Sequence, residues 1–409
     1  MTDDSTADRR FFQATTRDFL AGTVPIGTVR ALAESGTGFD REWWRRGAEL
    51  GWTAMLVPEE LGGGSVSGQP MTELATVAEE LGRAAAPGPF VTTSAVLAGL
   101  ATAEDAAETV AAILSGETIA TWAVYEPGRG FDALGGRAWD IAAAGRALDP
   151  VAAQSGVGQA SDTAATEAGD GRATGTTATR SGDGYRVTGT KDRVEAADQA
   201  DVFLVTAAGA DGPVQLLVRA DDPGVTVSPA WTIDLTRRTA TVTFSDAAGT
   251  AVHSGDAAVD ALRAQANTAA LLTAAESVGA ADQALTATLS WLFDRYTFGR
   301  PLASYQALKH RMADNKTWLE ACRATAFAAA ASWDANSPAT TEQVSIAKSY
   351  VAERTPVIAQ DCVQLHGGIG VTWEHDLHLY LRRITLGRAL YGTPEEHRRH
   401  ITDLLESAA

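Results

Sequence analysis

Seven apolar residues, Leu271, Ala275, Val278, Ala281, Leu285, Leu289 and Leu292, step along the chain by 4, 3, 3, 4, 4 and 3. Only an α-helix returns such positions to one face, and a seam this long predicts a bundle helix packed against helical partners. Leu308, Met312, Leu319, Cys322 and Phe327 place a second stripe. Val344, Ala347, Val351, Ile358 and Leu365 place a third. It begins after Ser337-Pro338, where Thr340 with Gln343 matches a capping box. Residues 248–409 are therefore expected to form a C-terminal helical bundle.

The middle of the chain changes period. Arg238 to Phe244 alternates, with Ala240, Val242 and Phe244 on one face and Thr239, Thr241 and Thr243 on the other. Tyr185-Arg186-Val187-Thr188 follows the turn Ser181-Gly182-Asp183-Gly184, and Val202–Thr206 and Gln215–Val218 are short apolar runs. Residues 119–247 read as a β domain. Within it, residues 141–180 are mostly Ala, Gly, Thr, Ser and Asp, with four large aliphatics and no aromatic ring. Such a stretch buries too little to offset its ordering entropy, so it is expected to be a long, mobile surface loop; the functional alternative is a lid. Residues 1–118 read as helical, with Leu74, Val77 and Leu81 at helical spacing and a glycine-rich loop over residues 58–64. Helices, then sheet, then bundle is a segregated α+β arrangement.

Charge and cysteine content remove several function classes. The 33 Lys and Arg against 51 Asp and Glu give a net charge of -18, which opposes nucleic-acid binding and a polybasic membrane anchor. No apolar run approaches the ~18 residues of a membrane span. The N-terminus Met1-Thr2-Asp3-Asp4 lacks the basic-then-apolar order of a signal peptide. Cys322 and Cys362 make neither a disulfide framework nor a zinc spacing, so a reduced, cytoplasmic setting without a bound metal is expected.

Three motifs bear on chemistry. Arg295-Tyr296-Thr297-Phe298-Gly299-Arg300-Pro301 follows the first bundle helix; on spacing alone it is a helix-to-helix turn, with phosphate binding as the functional alternative. Gln364-Leu365-His366-Gly367-Gly368-Ile369-Gly370 ends the third stripe in glycines, and His366 reads as a structural, hydrogen-bonding histidine. In Tyr391-Gly392-Thr393-Pro394-Glu395-Glu396, Thr393 reads as a helix N-cap with Pro394 at the first helical position. The nearby Arg382, Arg383, Arg388, His397, Arg398, Arg399 and His400 are a local basic cluster, read as solvated helix faces paired with acidic neighbours, with an anionic partner as the alternative.

In this order and at these intervals, the three motifs resemble the acyl-CoA dehydrogenase family, with its Arg-x-x-Phe-Gly, Gln…Gly-Gly and Glu-Gly-Thr segments. The resemblance extends to Val57-Pro58-Glu59-Glu60-Leu61-Gly62-Gly63 and to Glu126-Pro127-Gly128 at the start of the β domain. The string from His366 to Arg383 looks most like a branch common in actinobacterial degradation of steroid side chains and related bulky acids. The resemblance implies an N-terminal helical domain, a middle β-barrel or sandwich, and a C-terminal four-helix bundle. It implies FAD at a subunit interface, an acyl-CoA thioester substrate and an electron-transfer acceptor. By residue matching, Arg295 and Phe298 would touch the pyrophosphate and adenine side of FAD, with Gln306 nearby. Gln364, Gly367 and Gly368 would serve the adenosine half across a subunit boundary, and Thr393 would lie near the isoalloxazine or the pyrophosphate. The implied chemistry is removal of the α-proton by a carboxylate while hydride leaves Cβ for the flavin.

The chain departs from this pattern where the chemistry sits. The family's base is a Glu directly before Gly-Thr; here it is Tyr391, and a phenol of ordinary pKa near 10 is a poor base at neutral pH. The second family location for the base, about ten residues before Val278-Gly279, reads Asn267-Thr268-Ala269-Ala270. Glu276 lies seven residues beyond Ala269, about 10 Å along the helix, and would not simply replace it. Tyr125 and Phe131 replace small hydroxyl residues around Glu126-Pro127. A Lys-x-Trp-x-Thr strand becomes Lys191-Asp192-Arg193-Val194-Glu195. Two versions follow: a partner subunit of a heteromer whose other chain supplies the base, which is favoured, or a self-sufficient homomer with Tyr391 as the placed candidate. A same-fold flavin oxidase or monooxygenase, and a non-catalytic acyl-thioester-binding or scaffold protein, are the other classes.

Overall fold

A computed structural model describes residues 4–131 and 175–408. Its N-terminal region holds α1 (Asp4–Thr23), α2 (Ile26–Ser35), α3 (Arg41–Glu49), α4 (Pro70–Arg83), α5 (Phe90–Leu100) and α6 (Ala107–Leu114). The β region holds β1 (Ala120–Ala123), β2 (Thr177–Ser181), β3 (Gly184–Glu195), β4 (Val202–Gly209), β5 (Gly212–Arg219), β6 (Val225–Ala230) and β7 (Thr239–Ser254). The sheet closes on itself through β4, β5, β7, β3 and β2, while β1 adds to β4 and β6 to β7. Closure covers edges that would otherwise pair with other chains. The alternation read in the sequence holds: Ala240, Val242 and Phe244 are buried with Phe203, Val205 and Leu216 inside the sheet.

The C-terminal region holds α7 (Asp256–Asp294), a short hairpin of β8 (Tyr296–Thr297) and β9 (Arg300–Pro301), α8 (Gln306–Asp334), α9 (Thr340–His366), α10 (Leu377–Ala389) and α11 (Pro394–Ala408). At 1.5 Å per residue the 39-residue α7 is about 58 Å long and forms the axis of the molecule. Its middle is buried on every side because α4 and α5 cover it from the N-terminal region and α9 and α10 from the bundle. The crossing with α4 is backbone on backbone. A Cβ on Gly279 would fall 1.8 Å from the Glu79 carbonyl oxygen, and one on Gly82 would fall 1.9 Å from that of Glu276. Asp334 at the end of α8 caps α4, accepting from the Met71 and Thr72 amides at 2.8 and 3.0 Å. Those two amides are among the orphan donors that every helix start leaves.

Four expectations need correction. The seam of α7 is buried except at Leu289, which is 46% exposed, while its neighbours Thr288 and Leu292 keep the last turns of the helix packed. The 340–343 capping box does not form. Thr340 Oγ1 donates back to the carbonyls of Ser332 and Ser337, and Ser337 Oγ accepts from the Ala339 amide. The expected loop over 141–180 ends early, since Thr177–Ser181 pairs antiparallel with β3; residues 141–174 lie outside the described residues. The β region also runs past residue 247. β7 continues to Ser254 because Leu216 and Leu217 of β5 pair with Ala251 and Thr250.

Candidate functional site

Tyr391 sits where α10 gives way to α11. Both Tyr391 (φ 54) and Gly392 (φ 97) take left-handed backbone, a reversal that lets Thr393 begin the next helix. Thr393 caps it as expected: its Oγ1 accepts from the Glu396 amide at 3.2 Å, while Glu396 Oε2 accepts from the Thr393 amide at 2.7 Å. Glu396 Oε1 accepts from the Phe131 amide at 3.0 Å, which ties this turn to the loop after β1. The Tyr391 amide donates to Tyr125 Oη.

Tyr391 is only 4% exposed and lies among aromatic rings. It stacks on Trp122 with centroids 6.1 Å apart and planes 9° apart, meets Phe131 edge-on at 6.1 Å, and tilts against Tyr125 at the same distance. Arg193 closes the group. A register shift in the β3–β7 pairing puts Arg193 at φ 49 and carries its guanidinium 4.1 Å over the Tyr125 ring. Its NH2 group donates to the Arg129 carbonyl at 2.6 Å. Burial and the negative charge of Glu195 push the Tyr391 phenol well above its ordinary pKa, and burial does the same to Tyr125. A general base must give up its proton near working pH. The surroundings of Tyr391 oppose that, so the expectation of Tyr391 as a base loses its physical support.

Among the described residues, neither base location offers a carboxylate in its place. Asn267, at the second base location, is buried with its amide donating to Thr341 Oγ1 at 2.9 Å. Glu276 is committed to Arg237 and, at 2.8 Å, to Arg383. Glu195 is the one carboxylate whose charge acts strongly on Tyr391. It pairs with Arg237 at 2.8 Å, and burial raises its pKa. The sequence reading did not single out Glu195 as a site residue; the available signal was a carboxylate at the Thr position of the Lys-x-Trp-x-Thr strand. It missed Arg237 and Asp234 outright. Asp234 pairs with Arg383, and Arg383 NH2 also reaches the Ala85 carbonyl at 3.3 Å, so this buried network joins all three regions.

The other expected site residues lie at the far end of α7. Arg295 and Phe298 are exposed on the β8–β9 hairpin, Phe298 94% so and at φ 53. Gln306 opens α8, and Gln364, Gly367 and Gly368 end α9; all four are exposed. Trp291 links the two groups. It stacks on His366 at 5.2 Å and 17°, and Arg295 lies 6.0 Å from its ring. His366 donates through Nδ1–H to the Cys362 carbonyl, 2.9 Å away, the structural role expected of it. Trp291 is fifteen residues, about 22 Å, along the helix from Glu276, whereas Thr393 belongs with Tyr391. The structure thus divides the seven expected cofactor residues into a group of six and a lone Thr393.

The two regions differ in how they suit a dinucleotide. At the far end, a Cβ on Gly367 or Gly368 would meet nothing within 4 Å, so the backbone there is open to a ligand, with a cation and an aromatic ring beside it. Around Tyr391, where the resemblance implies the flavin ring, Trp122, Tyr125, Phe131 and Tyr391 fill the space with their own packed and buried rings, and the residues present do not fit a flavin. The basic cluster dissolves into internal pairs: Arg388 with Glu395 at 2.9 Å, Arg398 with Glu353 at 2.6 Å, and Arg383 with Asp234 and Glu276. Both cysteines are buried thiols, pushed up to about 12 at Cys322 and about 11 at Cys362 by burial. Among the described residues, no helix is long and apolar enough to cross a membrane.

Comparison with known proteins places these observations. Residues 6–117 match the acyl-CoA dehydrogenase N-terminal domain, and residues 259–405 match the acyl-CoA dehydrogenase C-terminal domain. Acyl-CoA dehydrogenase IpdE2 of Mycolicibacterium smegmatis is 31% identical over 374 residues, covering 91% of each chain. A Tcur3481-Tcur3483 steroid ACAD variant superposes with a TM-score of 0.80 at 25% identity, over 99% of each chain. The ChsE4-ChsE5 complex of Mycobacterium tuberculosis gives a TM-score of 0.78 at 25% identity, covering 99% of this chain and 98% of the other.

Proposed function

The chain belongs to the acyl-CoA dehydrogenase family, and from that premise we propose that it is the partner subunit of a heteromeric enzyme that desaturates a bulky acyl-CoA thioester between Cα and Cβ. One observation carries this reading. Both positions where the family keeps its base lack a carboxylate, while the six residues that resemble the adenosine side of an FAD site stand exposed beyond the C-terminal end of α7. Exposed groups on the outside of a bundle can serve only a ligand that another chain also holds.

In this reading Arg295, Phe298, Gln306, Gln364, Gly367 and Gly368 receive the adenosine half of an FAD whose reactive ring lies in the second chain. That chain supplies the carboxylate that takes the α-proton, and FAD takes the hydride. Reduced FAD then passes its electrons to an external acceptor. The similarity to a steroid ACAD and to the two-chain ChsE4-ChsE5 complex supports a polycyclic acyl group and a heteromer. Buried thiols and an acidic surface suit a reducing, cytoplasmic setting.

Co-expression with a Glu-bearing family member tests the proposal. The expected result is a stable complex that carries flavin absorbance and reduces an artificial acceptor with steroid-derived acyl-CoA, while this chain alone does neither. Stoichiometric FAD and acyl-CoA turnover in the lone chain, abolished by Tyr391→Phe, would overturn it in favour of the homomer.

A further inference from the structure

We propose that Trp122, Tyr125, Phe131 and Tyr391 form a built-in plug that occupies this chain's own flavin-ring and thioester position and keeps it closed in the folded protein. The proposal deepens the partner-subunit reading by saying why this chain cannot hold a flavin ring of its own.

Three observations support it. First, five of the six pairs among the four rings are in contact, at centroid distances of 5.6 to 6.4 Å, the range of packed aromatic side chains. All four are at most 4% exposed. Second, the plug is anchored from both sides. Glu396 holds the Phe131 amide with one oxygen and the Thr393 amide with the other. Tyr125 Oη accepts from the Tyr391 amide, and Arg193 covers the outer face of Tyr125.

Third, a hydrogen-bond relay fixes the strained turn that carries Tyr391. A β-carbon in left-handed backbone costs roughly 1–2 kcal/mol, so the turn needs outside support. His397 Nε2 lies 3.0 Å from the Tyr391 carbonyl, and His397 Nδ1 lies 3.2 Å from Ser345 Oγ, which lies 3.0 Å from His400 Nδ1. A carbonyl only accepts, so His397 carries its proton on Nε2. Its Nδ1 then accepts from the Ser345 hydroxyl, and Ser345 accepts from His400 Nδ1–H. The direction of the whole relay follows from the one carbonyl. His397 also fills the space beside Gly392, where a Cβ would fall 2.3 Å from Nε2. His397, Ser345 and His400 are thus positioning residues for the plug.

The test uses the full chain alone, so a failed heteromer leaves it intact. The probes are riboflavin, which carries the ring system without the adenosine half, and p-cresol, which is the side chain of Tyr391. Riboflavin fluorescence should be unchanged by the wild-type chain. Tyr391→Gly, which relaxes the left-handed position as it removes the ring, should gain a thermal shift of about 2 °C at ten times the Kd of p-cresol, with none in wild type. Stoichiometric quenching of riboflavin by the wild-type chain would overturn the plug, as would a folded Tyr391→Gly variant indifferent to p-cresol. Should that variant fail to fold, riboflavin with wild type decides: no quenching supports the plug and quenching overturns it.

Discussion

Arg383→Met is the perturbation whose size the structure allows to be worked out. The Arg383 guanidinium serves Asp234, Glu276, the Thr236 hydroxyl and the Ala85 carbonyl, and it is 2% exposed. Methionine keeps much of the volume and none of the charge. Glu276 retains Arg237, and Asp234 retains the amide and hydroxyl of Thr236, at 2.9 and 2.7 Å, and the charge of Arg237 without a hydrogen bond to it. Removing one partner of a buried pair costs about 3–5 kcal/mol, because the remaining charge stays desolvated. At about 2.1 cal/mol/K per residue, the unfolding entropy of 409 residues is about 0.9 kcal/mol/K, so the melting temperature should fall by about 3–6 °C. Asp234→Asn on the same background removes the stranded charge and should return about half of the loss. Calorimetry on wild type, both single variants and the double variant closes the cycle. A double variant no better than the sum of the singles would show that the two residues do not act as a pair, and the argument for a network joining the three regions would fall.

Three further outcomes are expected. Gly279→Ala drives a Cβ into the Glu79 carbonyl of the facing helix, so α4 and α7 must separate; equilibrium unfolding should show a loss of about 1–3 kcal/mol, and an unchanged midpoint would mean the crossing is looser than described. Arg295→Ala should lower FAD retention by the heteromer while leaving the lone chain's melting temperature within about 1 °C, since the side chain is exposed; equal flavin content before and after dialysis would remove Arg295 from the cofactor surface. Burial depresses the histidines to about 3 at His397 and about 4 at His400. The unfolded chain takes up protons near pH 6.5 that the folded chain refuses. Stability is therefore full above pH 6.5 and falls below it, by up to about 1.4 kcal/mol per pH unit for each histidine. Denaturant titrations at pH 7, 6 and 5 should show that slope, and its survival in His400→Gln at full strength would assign it elsewhere.

The helical seams were legible because large apolar residues on α7, α8 and α9 recur at a period that few other structures produce; of the seven residues on the first seam only Leu289 escapes the core. The strands were legible where one face is buried, as at residues 239–244. They were illegible at Thr177–Ser181, where four of five residues are exposed and the partner strand supplies the order. The far-end site residues were readable as motifs, yet their exposure was not, since spacing does not report which side of a bundle faces out. Least visible was the buried charge network. Asp234, Arg237 and Arg383 lie up to 149 positions apart, and nothing local to any of them marks it as internal. A sequence shows an arginine as a surface residue until its partners are known.

The C-terminal end of α7 and the surroundings of Tyr391 answer to different requirements, and this is what separates the cofactor surface from the plug. Tyr391, Tyr125 and Trp122 are core residues, and packing alone accounts for large rings there. Phe298 has no such account. It is a phenylalanine 94% exposed in left-handed backbone, on a hairpin that buries little, and folding of this chain gains nothing from it. The same holds for Gly368, whose missing side chain would have met no neighbour, whereas Gly367, at φ 68, ends α9 and is accounted for by the fold. Residues that cost the fold or do nothing for it must be explained outside the fold, and an exposed ring beside an arginine and bare backbone is suited to a nucleotide presented by another chain. A chain can therefore close its own ring position with core packing and still serve a neighbour's cofactor, because the two sets of residues have no member in common and lie on different elements.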